Sequence, residues 1–538
     1  MLAFANLLDR LILTPSRNAK LQLLTDYFTE TPDPDRGLAV AAISRDLKIA
    51  NVKPALLRAL IEERMDPVLF ELSYDYVGDM AETISLVWPE TTSDVSTTLT
   101  LCDVVNTLQT TSRQSAPSVV AGLLDNLETT PRWALLKLIT GGLRIGVSSR
   151  LLKQALANFG QVEVSEIEEL WHGLNVPYTD LFQWLEGKAD KPVSTAVALF
   201  RPVMLAHALE ESDHHKITPQ DVAAEWKWDG IRIQAVGEAG TARLYSRTGD
   251  DISPAFPDIV EAMNFDAALD GELLVRAEGD EHDGLNPVAS FGDLQQRLNR
   301  KKVSKKQLQT HPAFVRLYDI LQEGDDNLRG LAFKERRKRL EAFVAKLDNP
   351  RFDLSPLVPF KHISDLAKHR TTPPHPVIEG LMLKRWDAPY QTGRPKGLWY
   401  KWKKEPHLID AVLMYAQRGH GKRSGFYSDY TFGVWKEEQG DMTLVPVGKA
   451  YFGFTDEELK QIDKFVRDNT TDRFGPVRAV RADEECGLVF EVAFEGLNRS
   501  TRHKSGVAMR FPRISRLRWD KPPHEADRLE TLEALLSR

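Results

Sequence analysis

The chain has 538 residues, with 70 Lys+Arg against 77 Asp+Glu and a net charge of −7. At roughly 100–200 residues per domain it holds three or four domains, and it is not coated uniformly in basic charge. Hydrophobic residues at 42% and charged residues at 27% exclude a wholly disordered or collagenous chain, while two cysteines, Cys102 and Cys486, are too few for a four-thiolate zinc site or a disulfide framework.

Residues 1–13 read as a surface helix. Asp9 and Arg10 interrupt the apolar run, so a signal peptide is not expected. No uncharged apolar run approaches the ~20 residues of a membrane span. A soluble cytoplasmic protein with no membrane partner is expected, and the thirteen histidines show no zinc-ligand spacing. Residues 1 to about 200 are predicted helical, because 134–139 and 149–158 carry apolar residues at helical spacing. The first of these ends at Gly141-Gly142, a usual helix stop. Between the two helices stands Gly141-Gly-Leu-Arg-Ile-Gly-Val-Ser148. It is either a plain interhelical turn or a phosphate site, where glycine admits close approach, Arg144 adds charge and a helix N-terminus follows.

Near residue 220 the pattern changes to short strand-like runs at 232–236, 242–245, 273–275, 314–318 and 381–383, with a helix at 333–347. This predicts a mixed α/β domain over 206–404. From Leu408 onward strands dominate, at 411–416, 430–435 and 488–493, with a turn at 418–425, and a small β-barrel is expected. The domains are thus 1–205, 206–404 and 405–538.

The stretch that carries chemistry is Ala224-Glu-Trp-Lys-Trp-Asp-Gly-Ile-Arg232. In an extended segment Glu225, Lys227 and Asp229 share a face. A lysine is a poor nucleophile, since only about one in 10³ is neutral at pH 7. Nearby cations can destabilise its charged form, and Arg232, Arg247, Lys384, Lys401 and Lys403 are candidates. The plain alternative is a strand whose lysine pairs with Asp229 or Glu225. Companions follow in order, however. Arg247 sits on a turn at 246–249, Glu272 at the mouth of a strand in Asp270-Gly-Glu-Leu273, and Tyr318 at a strand end. Glu379 and Lys384 stand near opposite ends of another strand, Lys401 and Lys403 share a face, and Arg510-Phe-Pro-Arg513 leads to Lys521.

This ordered set resembles the motifs of the ATP-dependent DNA ligases, within the covalent nucleotidyltransferase superfamily. Residues 142–148 and 151–157 are similar to the phosphate-binding segment of that family's DNA-binding domain. The resemblance implies an all-α DNA-binding domain, an α/β (α+β) nucleotidyltransferase domain and a C-terminal OB-fold. It implies that Lys227 attacks the α-phosphate of ATP and carries AMP, which then passes to the 5′-phosphate of a nick before the 3′-OH seals it. Glu225 would help recognise adenine, Tyr318 would stack on the ring and Met382 would meet its other face. Glu272 would bond the ribose, and Arg232 and Arg247 the sugar and phosphates. Lys384, Lys401 and Lys403 would neutralise phosphate charge. Glu272 and Glu379 would hold Mg²⁺, with Mn²⁺ as an alternative. Arg513 and Lys521 would close over ATP, while Arg144 and Gly146 would contact DNA. Pro395 stands where relatives often have a basic residue, with Arg394 beside it to serve instead, and Trp519 stands where relatives are often acidic.

The implied partner is nicked duplex DNA, met by a monomer during replication, repair or recombination, at the nucleoid if the cell is bacterial. Residues 499–521 carry six Arg, two Lys and one Asp, and 394–404 carry one Arg, four Lys and no acid; such patches predict salt-sensitive DNA binding. The cluster Arg297, Arg300, Lys301, Lys302, Lys305 and Lys306 reads instead as a solvated helix end. Competing readings are an RNA ligase or guanylyl-transferring capping enzyme, an NAD-dependent ligase, and a DNA-binding protein without catalysis. The long helical extension favours the DNA ligase over the first. The four-cysteine zinc module typical of the second cannot be supplied here. The third has no need for Lys227 with Glu379, Lys401 and Lys403.

Overall fold

The computed structural model describes the chain except residues 78, 90–98, 194–196, 278, 280–286, 299, 301–302, 419–426, 439, 452, 475–476, 501–503 and 537–538. Most of the turn expected at 418–425, and Lys301 and Lys302, therefore lie outside the described residues. The chain divides into two compact units. One contains 163–174 and 192–405, and the other contains 1–162, 175–191 and 406–538.

The N-terminal part of the second unit is helical, as expected. Helix Leu2–Leu13 buries Phe4, Leu7, Leu8 and Leu11, one stripe at helical spacing, and leaves its other face to solvent. Helix Thr129–Thr140 is buried from Pro131 to Ile139. Its charged residues find partners inside: Lys137 pairs with Asp79 at 2.6 Å, and Arg132 donates to the Leu124 carbonyl at 2.9 Å. The helix stops at Gly141, left-handed at φ +69°. Helix Ser149–Gly160 begins where the Ser148 hydroxyl accepts from the Leu151 amide at 3.2 Å.

The unit spanning 192–405 is built on two sheets. The smaller runs in the order His207–Ala208, Trp399–Lys403, Ile378–Arg385, Val222–Trp228, antiparallel except at the first pair. The larger runs Thr241–Ser246, Ile231–Glu238, Ala267–Val275, Ala313–Glu323, Asp326–Asn327, with Phe352–Leu354 parallel to Ala313–Glu323. All five strand runs predicted by sequence fall inside these strands. Helix Phe333–Leu347 has the predicted bounds and packs Leu340 into the core of the larger sheet with Leu269, Val315 and Phe352. The chain crosses between sheets in two residues, Asp229 and Gly230. A Cβ on Gly230 would meet the Leu273 carbonyl at 2.6 Å and the Glu272 side chain at 2.8 Å, so glycine is what permits the crossing.

From 406 onward strands dominate. His407–Arg418 pairs with Tyr427–Glu438 along one edge. On its other edge it pairs first with Val489–Phe494 and then with Val477–Val480. This branching, with bulges after Leu413 and Gln417, yields a seven-stranded antiparallel sheet plus the separate hairpin Gly496–Arg499/Val507–Arg510. Among the described residues no pairing closes these sheets into the expected barrel.

One sequence reading is corrected. Arg297 is not part of a solvated helix end. It is fully buried, forks onto Asp258, donates to the carbonyls of Ala255 at 3.0 Å and His311 at 3.1 Å, and lies over the Phe256 ring. Asp258 comes from a distant part of the chain, so a local charge run gives no sign of it.

Candidate active site

The register of the smaller sheet assembles one face. Lys227 stands opposite Gly380, Glu225 opposite Met382, and Ala223 opposite Lys384. On the other side of the same central strand, Gly380 faces Lys403, Met382 faces Lys401 and Lys384 faces Trp399. Directly opposed residues project from the same side of a sheet. Glu225, Lys227, Met382, Lys384, Lys401 and Lys403 are therefore brought together by pairing alone.

Strict alternation would put Glu379 on the opposite face. A bulge prevents this: Lys227 pairs with Gly380 and the next residue, Trp228, with Ile378, so Glu379 is the extra residue. Bulges re-aim side chains. Glu379 Oε1 accepts a short hydrogen bond from Lys227 Nζ, and Oε2 pairs with Lys403 Nζ at 3.1 Å. These lysines hold the Glu379 carboxyl below its usual range, against the burial that would raise it. The Lys401 amine is pushed down, first by burial and then by Arg394, Lys403, Lys227 and Arg247. The Arg247 guanidinium is lowered by burial, Arg232 and Arg394. Of the cations expected around Lys227, Arg247, Lys401 and Lys403 are gathered there, with Arg247 and Arg394 exposed.

Lys384 lies at the far end of this face from Lys227. It is 1% exposed, pairs with Glu225 Oε2 at 2.5 Å, donates to the Tyr318 carbonyl at 3.3 Å, and lies over the rings of Tyr318, Trp399 and Phe333. The second Glu225 oxygen accepts from Arg337 at 3.0 Å. Tyr318 and Met382, both half-buried, border one apolar cluster with Met204, Tyr390 and Trp399. Arg232 is fixed on three sides: it donates to the Met204 carbonyl, pairs with Asp270 at 2.6 Å and meets the Tyr390 hydroxyl at 3.0 Å. Sequence reasoning missed Gly380, Arg337 and Tyr390, and quoted Asp270 without a role. Only the glycine after Glu379 could have signalled one of them.

The Glu272 side chain makes no hydrogen bond or ion pair among the described residues. Burial raises its carboxyl to about 7, opposed by Lys227 and Arg232 and reinforced by Glu379 and Asp229. Between 4.5 and about 7 the folded state therefore binds more protons than the unfolded one, so this group makes stability fall as pH rises through that window. Glu272→Gln is expected to raise the metal-free melting temperature at about pH 8 and to leave it unchanged below about pH 4.5. Melting curves across pH check this, and a stabilisation that does not vary with pH would contradict it.

The remaining candidates lie in the other unit. Lys521 pairs with Asp410 at 2.7 Å, an acid also held by Arg518 at 3.1 Å, and Arg513 lies half-buried on strand Arg513–Leu517. Trp519, 54% exposed, donates to Gln461 at 3.2 Å. Arg144 and Gly146 are exposed and left-handed, at φ +48° and +65°. Among the described residues no helix is long and apolar enough to cross a membrane.

Three family models match along the chain: DNA ligase N terminus over 1–157, ATP dependent DNA ligase domain over 203–403, and ATP dependent DNA ligase C terminal region over 423–521. The chain belongs to the ATP-dependent DNA ligase family. This ligase is 29% identical to a probable DNA ligase of Koribacter versatilis over 99% of its own length and 96% of the relative's. It is 31% identical to a probable DNA ligase of Anaeromyxobacter sp., over 79% and 80%. The solved structure named Pmar-Lig_PreS3 matches 96% of the ligase and 99% of that chain with a TM-score of 0.59 at 16% identity, a likeness of fold. As a family member the ligase is an enzyme that uses ATP to seal nicks in DNA.

Proposed function

We propose that Lys227 is the nucleophile of adenylation. Its Nζ attacks the α-phosphorus of ATP. A nitrogen–phosphorus bond forms, the bond to the diphosphate breaks, pyrophosphate leaves and the amine's proton goes to solvent. AMP then passes to the 5′-phosphate at a nick in duplex DNA, and the 3′-OH displaces it. The observation that carries this reading is the convergence of Lys227, Glu379 and Lys403 through one re-aimed carboxylate. An ammonium has no free lone pair, so attack requires the amine to lose a proton, and the neutral amine can still donate an N–H to Glu379.

Supporting roles follow from placement. Tyr318 and Met382 border the apolar cluster that would take the adenine faces. Glu225, held by Lys384 and Arg337, fixes that end of the pocket. Arg232, Arg247, Arg394, Lys401 and Lys403 offset phosphate charge. The residues also fit Mg²⁺, or Mn²⁺: Glu272 has its oxygen lone pairs unspent beside Glu379, and Mg²⁺ takes one or two carboxylates with substrate phosphates. Glu272 and Glu379 would hold it, and it would supply charge neutralisation on the phosphates.

We assign 1–205 to DNA binding, with Arg144 and Gly146 as contacts, 206–404 to adenylation, and 405–538 to an OB-fold, in a cytoplasmic monomer. Arg513 and Lys521 would close on ATP, for which Lys521 must leave Asp410. Arg513→Ala and Lys521→Ala are each expected to slow adenylation by about tenfold or more, the scale of a lost charged contact, and to slow sealing of pre-adenylated nicks less. Equal losses in both assays would remove the proposed closing role. The decisive test of the whole reading compares ATP, GTP and NAD as cosubstrates on nicked DNA and nicked RNA. Sealing of the DNA with ATP alone is expected.

A further inference from the structure

Loop 141–148 rests on a residue far from it in sequence. Lys20, on helix Arg17–Glu30, is 8% exposed. Its Nζ donates to the carbonyls of Ile145 at 2.7 Å and Gly146 at 3.1 Å. No carboxylate pairs with it among the described residues, and burial pushes its amine below the usual lysine range. A Cβ on Gly146 would come within 2.3 Å of Nζ, so the missing side chain is what lets the ammonium reach.

The consequence is directional. In a trans peptide the C=O and the N–H point opposite ways. Both peptides here are trans. Turning the Ile145 and Gly146 carbonyls onto Lys20 therefore turns the amides of Gly146 and Val147 away from it. Neither amide donates to a protein group among the described residues. Successive outward amides beside a left-handed residue make a concavity suited to an anion. Arg144, exposed, and the N-terminus of helix Ser149–Gly160 add charge of the same sign.

We propose that Lys20 is a positioning residue for DNA: it orients the Gly146 and Val147 amides, with Arg144, toward a backbone phosphate of the duplex without touching that phosphate itself. This rests on the reading of loop 142–148 as a DNA contact. The test uses the full-length protein and a fluorescent nicked duplex ending in a 3′-dideoxy nucleotide, with anisotropy at fixed salt. Lys20→Met is expected to weaken binding about tenfold, the scale of one or two lost charge-assisted hydrogen bonds. In an Arg144→Ala background the same change is expected to cost much less, because both act on one contact. Gly146→Ala, which displaces the ammonium without removing it, is expected to reproduce the loss if Lys20→Met compromises folding. Enzyme adenylation is the control for the other unit. Full additivity of Lys20→Met with Arg144→Ala, or wild-type affinity in both Lys20→Met and Gly146→Ala, would overturn the proposal. Wild-type affinity in Arg144→Ala would instead overturn the reading of the loop.

Discussion

Lys227→Ala is expected to yield no AMP adduct by mass spectrometry after incubation with ATP and Mg²⁺, and to lose ATP-driven sealing by about four orders of magnitude or more, the scale for removing a covalent nucleophile. The fold should survive. Lys227 and Glu379 are both 23% exposed, and Glu379 keeps Lys403 as a partner, so the stability change is expected to stay within about 1–2 kcal/mol. Lys227→Arg sharpens the test. A guanidinium can keep the ion pair with Glu379 but offers no nucleophilic amine at neutral pH. It should melt like the wild type and still form no adduct. An adduct in either variant, mapped to another residue, would end the assignment.

How far the sequence showed this in advance depended on the range of the interaction. Alternation within Val222–Trp228 and Trp399–Lys403 placed Glu225 with Lys227, and Lys401 with Lys403, on common faces, and the register joins those faces as expected. Helix 333–347 was legible from periodicity, but its Lys-Glu-Arg-Arg-Lys-Arg run looks solvated while Arg336 is fully buried on Asp319 and Arg337 is buried on Glu225. Both acids come from distant strands, and a charge run cannot declare partners it meets only after folding. The same holds for Arg297 with Asp258 and for Lys20 beneath loop 141–148. Lys384 shows the same limit: the resemblance implies a phosphate ligand there, and its burial beside Glu225 and three aromatic rings depends on contacts that no local pattern shows. Barrel closure was illegible for another reason, since strand count and turns do not determine which edges pair.

Gly380→Ala is expected to damage both stability and adenylation. Gly380 is at φ +150°, where only glycine is comfortable, and it lies in the central strand between Lys227 and Lys403. An added Cβ would stand 2.3 Å from the Trp402 carbonyl oxygen and 2.7 Å from the Lys403 Cα, both backbone atoms that cannot swing aside. Backbone strain of about 1–3 kcal/mol and a steric cost of similar size give a loss of roughly 3–5 kcal/mol. That is a large part of the stability of a typical domain. The bulge that aims Glu379 depends on the same backbone, so single-turnover adenylation should fall by more than about tenfold even well below the melting point. Glu379→Ala separates the two effects. It removes the carboxylate and leaves the strand intact, so adenylation should fall while the melting temperature moves little. If Gly380→Ala melts and adenylates like the wild type, Trp399–Lys403 can yield, and the close approach of three strands does not hold Glu379 on the Lys227 face.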